Sequence, residues 1–150
     1  MALKDSEFDP AATLTGAELV PLLQGGFNAL ALLSAIKTYA NKNVVTALAS
    51  ASGVLTIDCS LGDYFTVTLT ENITSIVFTN KAGAGYGMTK MLKITQHASA
   101  AKTVAWPASF KWAGGSAGVM SATLSAYDRL AITSDDNGTS WDATLAKAFG

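Results

Sequence analysis

From residue 54 onward the chain alternates apolar and polar positions with a period of two. Leu55, Ile57 and Cys59 alternate with Val54, Thr56 and Asp58. Over residues 64–70, Phe65, Val67 and Leu69 alternate with Thr66, Thr68 and Thr70. Over residues 88–96, Met88, Lys90, Leu92, Ile94 and Gln96 alternate with Thr89, Met91, Lys93 and Thr95. Successive side chains of a strand point to opposite faces, so these segments predict strands buried on one side. Shorter runs at 76–78, 102–105, 110–112, 129–133 and 140–145 predict further strands. Leu61-Gly62, Glu71-Asn72, residues 82–87, Gly114-Gly115 and Asn137-Gly138 supply the turns between them. Roughly seven to nine short strands with no helical period between them predict a mainly β fold, an antiparallel β-sandwich of jelly-roll-like type. A parallel βαβ fold is not expected.

The first third of the chain has a different pattern. Residues 1–18 are polar and read as a docking arm. Residues 18–24 read as a short strand, which Pro21 confines to an edge or a bulge. Gly25-Gly26 is a turn signal, and residues 27–33 form a returning strand. Ser34 then caps a short helix over 35–40. One longer helix over 28–39 is the alternative, with Leu32, Leu33, Ile36, Tyr39 and Ala40 on a shared face. So few residues cannot bury such a face alone, so it packs either on the β-domain or on copies of itself. Leu30, Leu33 and Ile36 are the candidate interface positions. The expected organisation is an arm at 1–18, a strand-turn-helix oligomerisation segment at 19–50, and a β-sandwich domain at 51–150.

Composition supports the idea of shared surface. Of the 150 residues, 49% are hydrophobic and only 14% charged, against a usual charged share of about 25%. Thr, Ser, Ala and Gly must cover much of the surface, which suits β-structure and subunit contacts. The net charge is −1 and no basic stretch is present, which argues against an electrostatic nucleic-acid reader. A single Cys and a single His exclude an internal disulfide framework and a multi-Cys zinc site, and no cofactor is expected. Cys59 and His97 form a nucleophile pair on paper only, and Cys59 reads as a small apolar strand residue. Residues 1–10 lack the apolar core of a secretory signal. The longest apolar stretch, 27–36, falls short of the roughly 18–20 residues that cross a bilayer, so no membrane insertion is expected.

Few motifs carry chemistry. Residues 83–87 (GAGYG) join two strands and lack the following helix whose amides would hold phosphate. Residues 134–141 (SDDNGTSW) follow the pattern S-x-D-x-G-x-[ST]-W, which resembles the Asp-box of sialidase-like propellers. It occurs once, so it predicts one hairpin: Asn137-Gly138 at positive φ, Asp136 bonding turn amides, and Trp141 packed beneath. EF-hand spacing is missing and no metal is expected. Asp58, Asp63, Glu71, Asp128, Asp135, Asp136 and Asp142 mostly flank turns, and nothing brings two of them together as glycoside hydrolysis requires. A non-enzymatic role is therefore expected. The sequons at Asn72 and Asn137 read as accidental without a signal peptide. Trp106 and Trp141 read as core, while Tyr86 and Trp112 remain candidate ligand-contacting residues.

Two segments carry a resemblance. Residues 13–36 (TLTGAELVPLLQGGFNALALLSAI) look like a module common in bacteriophage tail-fibre and other virion appendage proteins. Residues 54–149 are similar to the C-terminal β-domain of many phage fibre proteins, carried by YFTVTLTENITSIVF, LKITQHASAAKTVAWPASFKW and YDRLAITSDDNGTSW. The resemblance implies a virion structural protein, commonly trimeric: a tail fibre, head fibre, capsid decoration or tail-tip component. Its implied partners are itself, as a homotrimer, and other capsid or tail proteins. It would assemble in the host bacterial cytoplasm and reside in the virion. The rival expectations are a receptor-binding module holding host glycan or protein at loop tips 82–86 or 112–118, and a depolymerase.

Overall fold

The computed structural model describes the backbone of residues 19–24 and 27–32, and residues 44–150 in full. The chain divides into two compact units, 1–42 and 43–150.

In the first unit, β1 (Leu19–Gln24) and β2 (Phe27–Leu32) pair antiparallel. The ladder runs from Leu19 opposite Leu32 to Gln24 opposite Phe27, so β2 returns along β1 as expected. Pro21 pairs with Leu30 in a two-stranded sheet, where both strands are edges and a residue lacking an N–H is tolerated. The helix expected over 35–40, together with Leu33 and Ile36, lies outside the described residues.

The second unit contains β3 (Val45–Leu48), β4 (Ser50–Ala51), β5 (Val54–Asp58), β6 (Tyr64–Thr68), β7 (Ser75–Thr79), β8 (Met88–Thr95), β9 (Phe110–Trp112), β10 (Tyr127–Ser134) and β11 (Trp141–Phe149). They form a six-stranded sheet in the order β3-β6-β8-β10-β11-β9 and a three-stranded sheet in the order β4-β5-β7. The division after residue 42 precedes the boundary expected at 50, because β3 is a ladder partner of β6.

The expected antiparallel pattern needs correction, because both sheets are mixed. The pairs β3–β6, β6–β8, β5–β7 and β9–β11 are parallel, while β4–β5, β8–β10 and β10–β11 are antiparallel. Parallel neighbours need a long crossover, which a helix usually provides. Here the crossover is itself a strand: β7 in the smaller sheet connects β6 to β8, and β6 in the larger sheet connects β5 to β7. The chain thus winds between two sheets, folding back in a direct hairpin only at β4–β5 and at β10–β11 among the strands of this unit. The strand expected at 102–105 reduces to one parallel bridge, Val104 to Ile73, flanked by hydrogen bonds from Ile73 N to Thr103 O and from Ala105 N to Ile73 O.

One apolar cluster lies beneath both sheets. Leu55, Ile57 and Ile76 of the smaller sheet join Phe65, Val67, Leu92, Ile94, Leu130, Ile132 and Trp141 of the larger one. These are the inward members of the alternating segments, so the period of two sets the buried faces. Two buried polar side chains anchor the long excursion between β8 and β10. Gln96 Nε2 donates to Lys102 O and Ser121 O, and its Oε1 accepts from His97 N and Lys102 N. Asp128 accepts from Ser121 N, Ser121 Oγ and Ala148 N, each at 2.7 Å. Both side chains are therefore bonded within the fold, as buried polar groups must be.

Candidate functional site

The 134–141 hairpin is built around one carboxylate. Asn137 (φ 58°) and Gly138 (φ 71°) supply consecutive left-handed residues at the tip, a conformation that suits Asn and Gly. The turn brings four donors to Asp136: Ser134 Oγ at 2.8 Å, Thr139 N at 3.0 Å, Ser140 N at 2.9 Å to one oxygen and 3.0 Å to the other, and Ser140 Oγ at 2.6 Å form its shell. Ser134 Oγ in turn accepts from Gly138 N at 2.7 Å. The Ser140 hydroxyl, then the Ser140 amide and the Ser134 hydroxyl, hold the Asp136 carboxyl down to about 2. Such bonding favours the ionised form. Trp141 is 1% exposed and stacks on Phe78 with centroids 4.6 Å apart. Asn137 Oδ1 accepts from Gly83 N and Gly138 O from Lys81 Nζ, so the hairpin also holds the 81–87 loop.

Asp136, Gly138 and Trp141 thus act as one structural unit in which the carboxylate is occupied by its own turn. Three other carboxylates have partners of their own. Asp58 accepts from Ser60 Oγ, Ser60 N and Asn80 Nδ2, which hold it below the usual carboxylate range, the Ser60 hydroxyl most. Asp63 pairs with Lys90 Nζ at 2.7 Å. Asp128 is bonded as above. Asp58 and Asp63 thus flank the same 59–62 turn with different partners, while Asp128 ties Ser121 and Ala148 together elsewhere. Cys59 is not in a strand but in a single 3-10 turn after β5, where burial pushes its thiol up. His97 Nδ1 accepts from Ser99 N and Ala100 N beyond the far end of β8 from Lys90, whose Nζ holds Cys59 O. Among the described residues, no group of three or more His, Cys, Asp or Glu side chains is placed to hold a metal ion. No helix among them is long and apolar enough to cross a membrane.

Trp112 and Tyr86 are not brought to one place. Trp112, at the end of β9, joins an aromatic group with Trp106 (5.4 Å between centroids) and Phe110 (6.0 Å). It also lines an open depression of about 410 Å³ with Lys111, Ala131, Thr133, Asp142 and Thr144. A recess of about 150 Å³ at the hairpin shares Thr133 and Asp142 with it. Tyr86 is 64% exposed in the 81–87 loop and lines neither hollow. Leu30 lies in β2, and Leu33 and Ile36 fall outside the described residues.

The structure adds two groups that sequence reasoning passed over. Lys90 is 4% exposed, and its Nζ binds Cys59 O, Gly62 O and Asp63 Oδ1. Its place among Met88, Leu92 and Ile94 on the inward side of the alternation was the available signal. Lys93 and Arg129 meet beside Tyr127, and only the β8–β10 register reveals that.

Comparison of the chain with protein-family models, curated proteins and solved structures finds no match in any of the three.

Proposed function

We propose that the chain is a non-enzymatic virion structural protein of a bacteriophage: a short homotrimeric fibre, decoration or tail-tip component attached to other capsid or tail proteins through its N-terminal segment. The observation that carries this reading is the β1–β2 ladder. Its twelve residues, LVPLLQ and FNALAL, are interrupted only by Gln24 and Asn28, so both alternating sets of positions are apolar. An isolated two-stranded hairpin is at best marginally stable in water. One with apolar residues on both alternating sets needs partners on two sides, and symmetric association of three copies supplies them. The resemblance of residues 13–36 and 54–149 to phage fibre proteins supports the same reading. We read the two sheets over one core as a β-sandwich. Asp58, Asp63, Asp128 and Asp136 are each held by bonds within the fold, which suits a scaffold better than general acid–base chemistry.

A second reading, recognition of a host glycan or protein, is favoured by the Trp112 depression, where an aromatic ring stands beside Thr hydroxyls, Lys111 and Asp142.

Sedimentation equilibrium of the full chain at micromolar concentration tests the assembly. A trimer mass is expected, which Leu22→Asp should convert to monomer, and a monomeric wild-type chain overturns trimerisation. Antibody labelling of intact phage particles in electron microscopy tests the location. Label on the particle is expected, and particles free of the chain overturn the virion role.

A further inference from the structure

The ladder registers of the larger sheet place Ala47, Thr66, Lys93, Arg129 and Ala146 in one row across five strands. The next row is Val45, Tyr64, Met91, Ala131 and Thr144, and the row on the other side includes Thr68, Thr95, Tyr127 and Phe149. These positions alternate with the buried ones, so the three rows lie on the outer face.

Two like charges are directly opposite at the centre of that face, a placement that ordinarily destabilises a sheet. Among the described residues, neither Lys93 nor Arg129 forms an ion pair, and the pair Lys90–Asp63 is the one found there. Both cations are instead held beside one ring: Lys93 Nζ is 4.2 Å from the Tyr127 centroid and Arg129 Cζ 5.4 Å. Phe149 stacks on the Tyr127 ring at 5.2 Å and backs it. Cation–π contact offsets part of the repulsion and fixes the two heads close together. The neighbours in their own row, Thr66, Ala146 and Ala47, are small. A depression of about 220 Å³ results, lined by Lys93, Arg129, Tyr64, Thr66, Met91 and Val45.

We propose that this depression binds a carboxylate-bearing sugar unit of an acidic polysaccharide. Arg129 and Lys93 receive the carboxylate, Tyr64, 37% exposed, offers its ring to the sugar face, and Thr66 offers a hydroxyl. Guanidinium and ammonium donors form the strongest hydrogen bonds to a carboxylate. The hollow is smaller than the roughly 300–1,000 Å³ of sites for drug-sized molecules, which suits one sugar unit. Nucleic acid needs a stripe of phosphate contacts, and two cations in a chain of net charge −1 do not make one. The same site on a second copy would bring like charges together. The assignment stands whether or not the chain belongs to a virion.

Titration calorimetry of the full chain with trigalacturonate, its methyl ester and a 15-base oligodeoxynucleotide tests the proposal. Trigalacturonate should bind at low salt, the ester about tenfold or more weakly, and added salt should weaken the binding. Arg129→Gln and Lys93→Gln should each lower the affinity by about tenfold. Both should keep or raise the melting temperature, since each removes a like-charge contact. Lys81→Gln, at the 134–141 hairpin and outside both depressions, should leave the affinity unchanged. Should one variant misfold, the other still decides. No binding at millimolar trigalacturonate, equal affinity for the ester, full affinity in a folded Arg129 or Lys93 variant, an equal loss in Lys81→Gln, or tighter Arg129-dependent binding of the oligodeoxynucleotide would each overturn the assignment.

Discussion

Three glycines separate the cost of a left-handed backbone from the cost of a crowded side chain. Gly114 has φ 78° with nothing within 4 Å of the position a Cβ would take, so Gly114→Ala adds only backbone strain. That strain is about 1–2 kcal/mol for an L-residue in the left-handed region. Gly118 has no positive φ, but a Cβ there would come within 2.8 Å of Trp112 Cζ3 and 2.9 Å of Leu145 Cβ and Cδ2. Overpacking of this kind costs roughly 1–3 kcal/mol. Gly138 combines both: φ is 71°, and a Cβ would come within 2.7 Å of Lys81 Cδ and 2.9 Å of Trp141 Cζ2. Lys81 is exposed and can swing aside, whereas Trp141, 1% exposed and stacked on Phe78, has nowhere to go. Gly138→Ala should therefore cost about 2–5 kcal/mol, the sum of the two contributions. Urea denaturation of the full chain, followed by far-ultraviolet circular dichroism, gives the three values. The order expected is Gly138→Ala largest, with Gly114→Ala and Gly118→Ala each smaller. A Gly138→Ala variant no less stable than Gly114→Ala would refute the claim that Trp141 closes the floor of the hairpin.

Two further outcomes follow from single side chains. The folded-state pKa of Asp136 is lowered to about 2, so its contribution to stability is present above the unfolded value of about 3.9 and lost as pH falls through the folded one. Urea midpoints measured from pH 5 to pH 2 should fall for the wild type and fall less steeply for Asp136→Asn; parallel curves would count against the four-donor shell. Lys90→Met removes the donor to Cys59 O and Gly62 O. A loss of about 1–3 kcal/mol is expected, at the lower end of what breaking a buried pair costs, because Asp63 is 61% exposed and rehydrates. An unchanged urea midpoint would show that Lys90 does not pin the 59–63 turn.

The expectation of an antiparallel fold failed for a reason that the strands themselves make plain. A half-buried strand has the same period of two whichever way its neighbour runs, so the alternation in β5, β6 and β8 is silent on direction. β3 and β4 escaped notice because they are short edge strands whose residues are exposed or half-buried, which leaves little apolar contrast to read. Residues 102–105 show the converse error. Their Val104 is apolar enough to suggest a strand, yet the segment crosses Ile73 and pairs at one residue only. The hairpin at 134–141 was legible in full because all its determinants lie within eight residues: two left-handed positions, one carboxylate with its local donors, and one ring. Tyr86 and Trp112 were picked by residue type, and type does not say whether two aromatic residues share a hollow.

The sequence by itself determined local features: the clearly alternating strands β5, β6, β8 and β10, which of their faces is buried, the hairpin at 134–141, and the return of β2 along β1. Each follows from dihedral preference and side-chain period, which act over a few residues. Only the tertiary structure decided which strands pair, in which direction and in which register. Those choices depend on contacts between residues such as Val45, Tyr64 and Met91, or Lys93 and Arg129, that are far apart in the chain. The burial of Lys90 and the facing cations beside Tyr127 are consequences of that register, because side chains on separate strands become neighbours only once the ladder between them has formed.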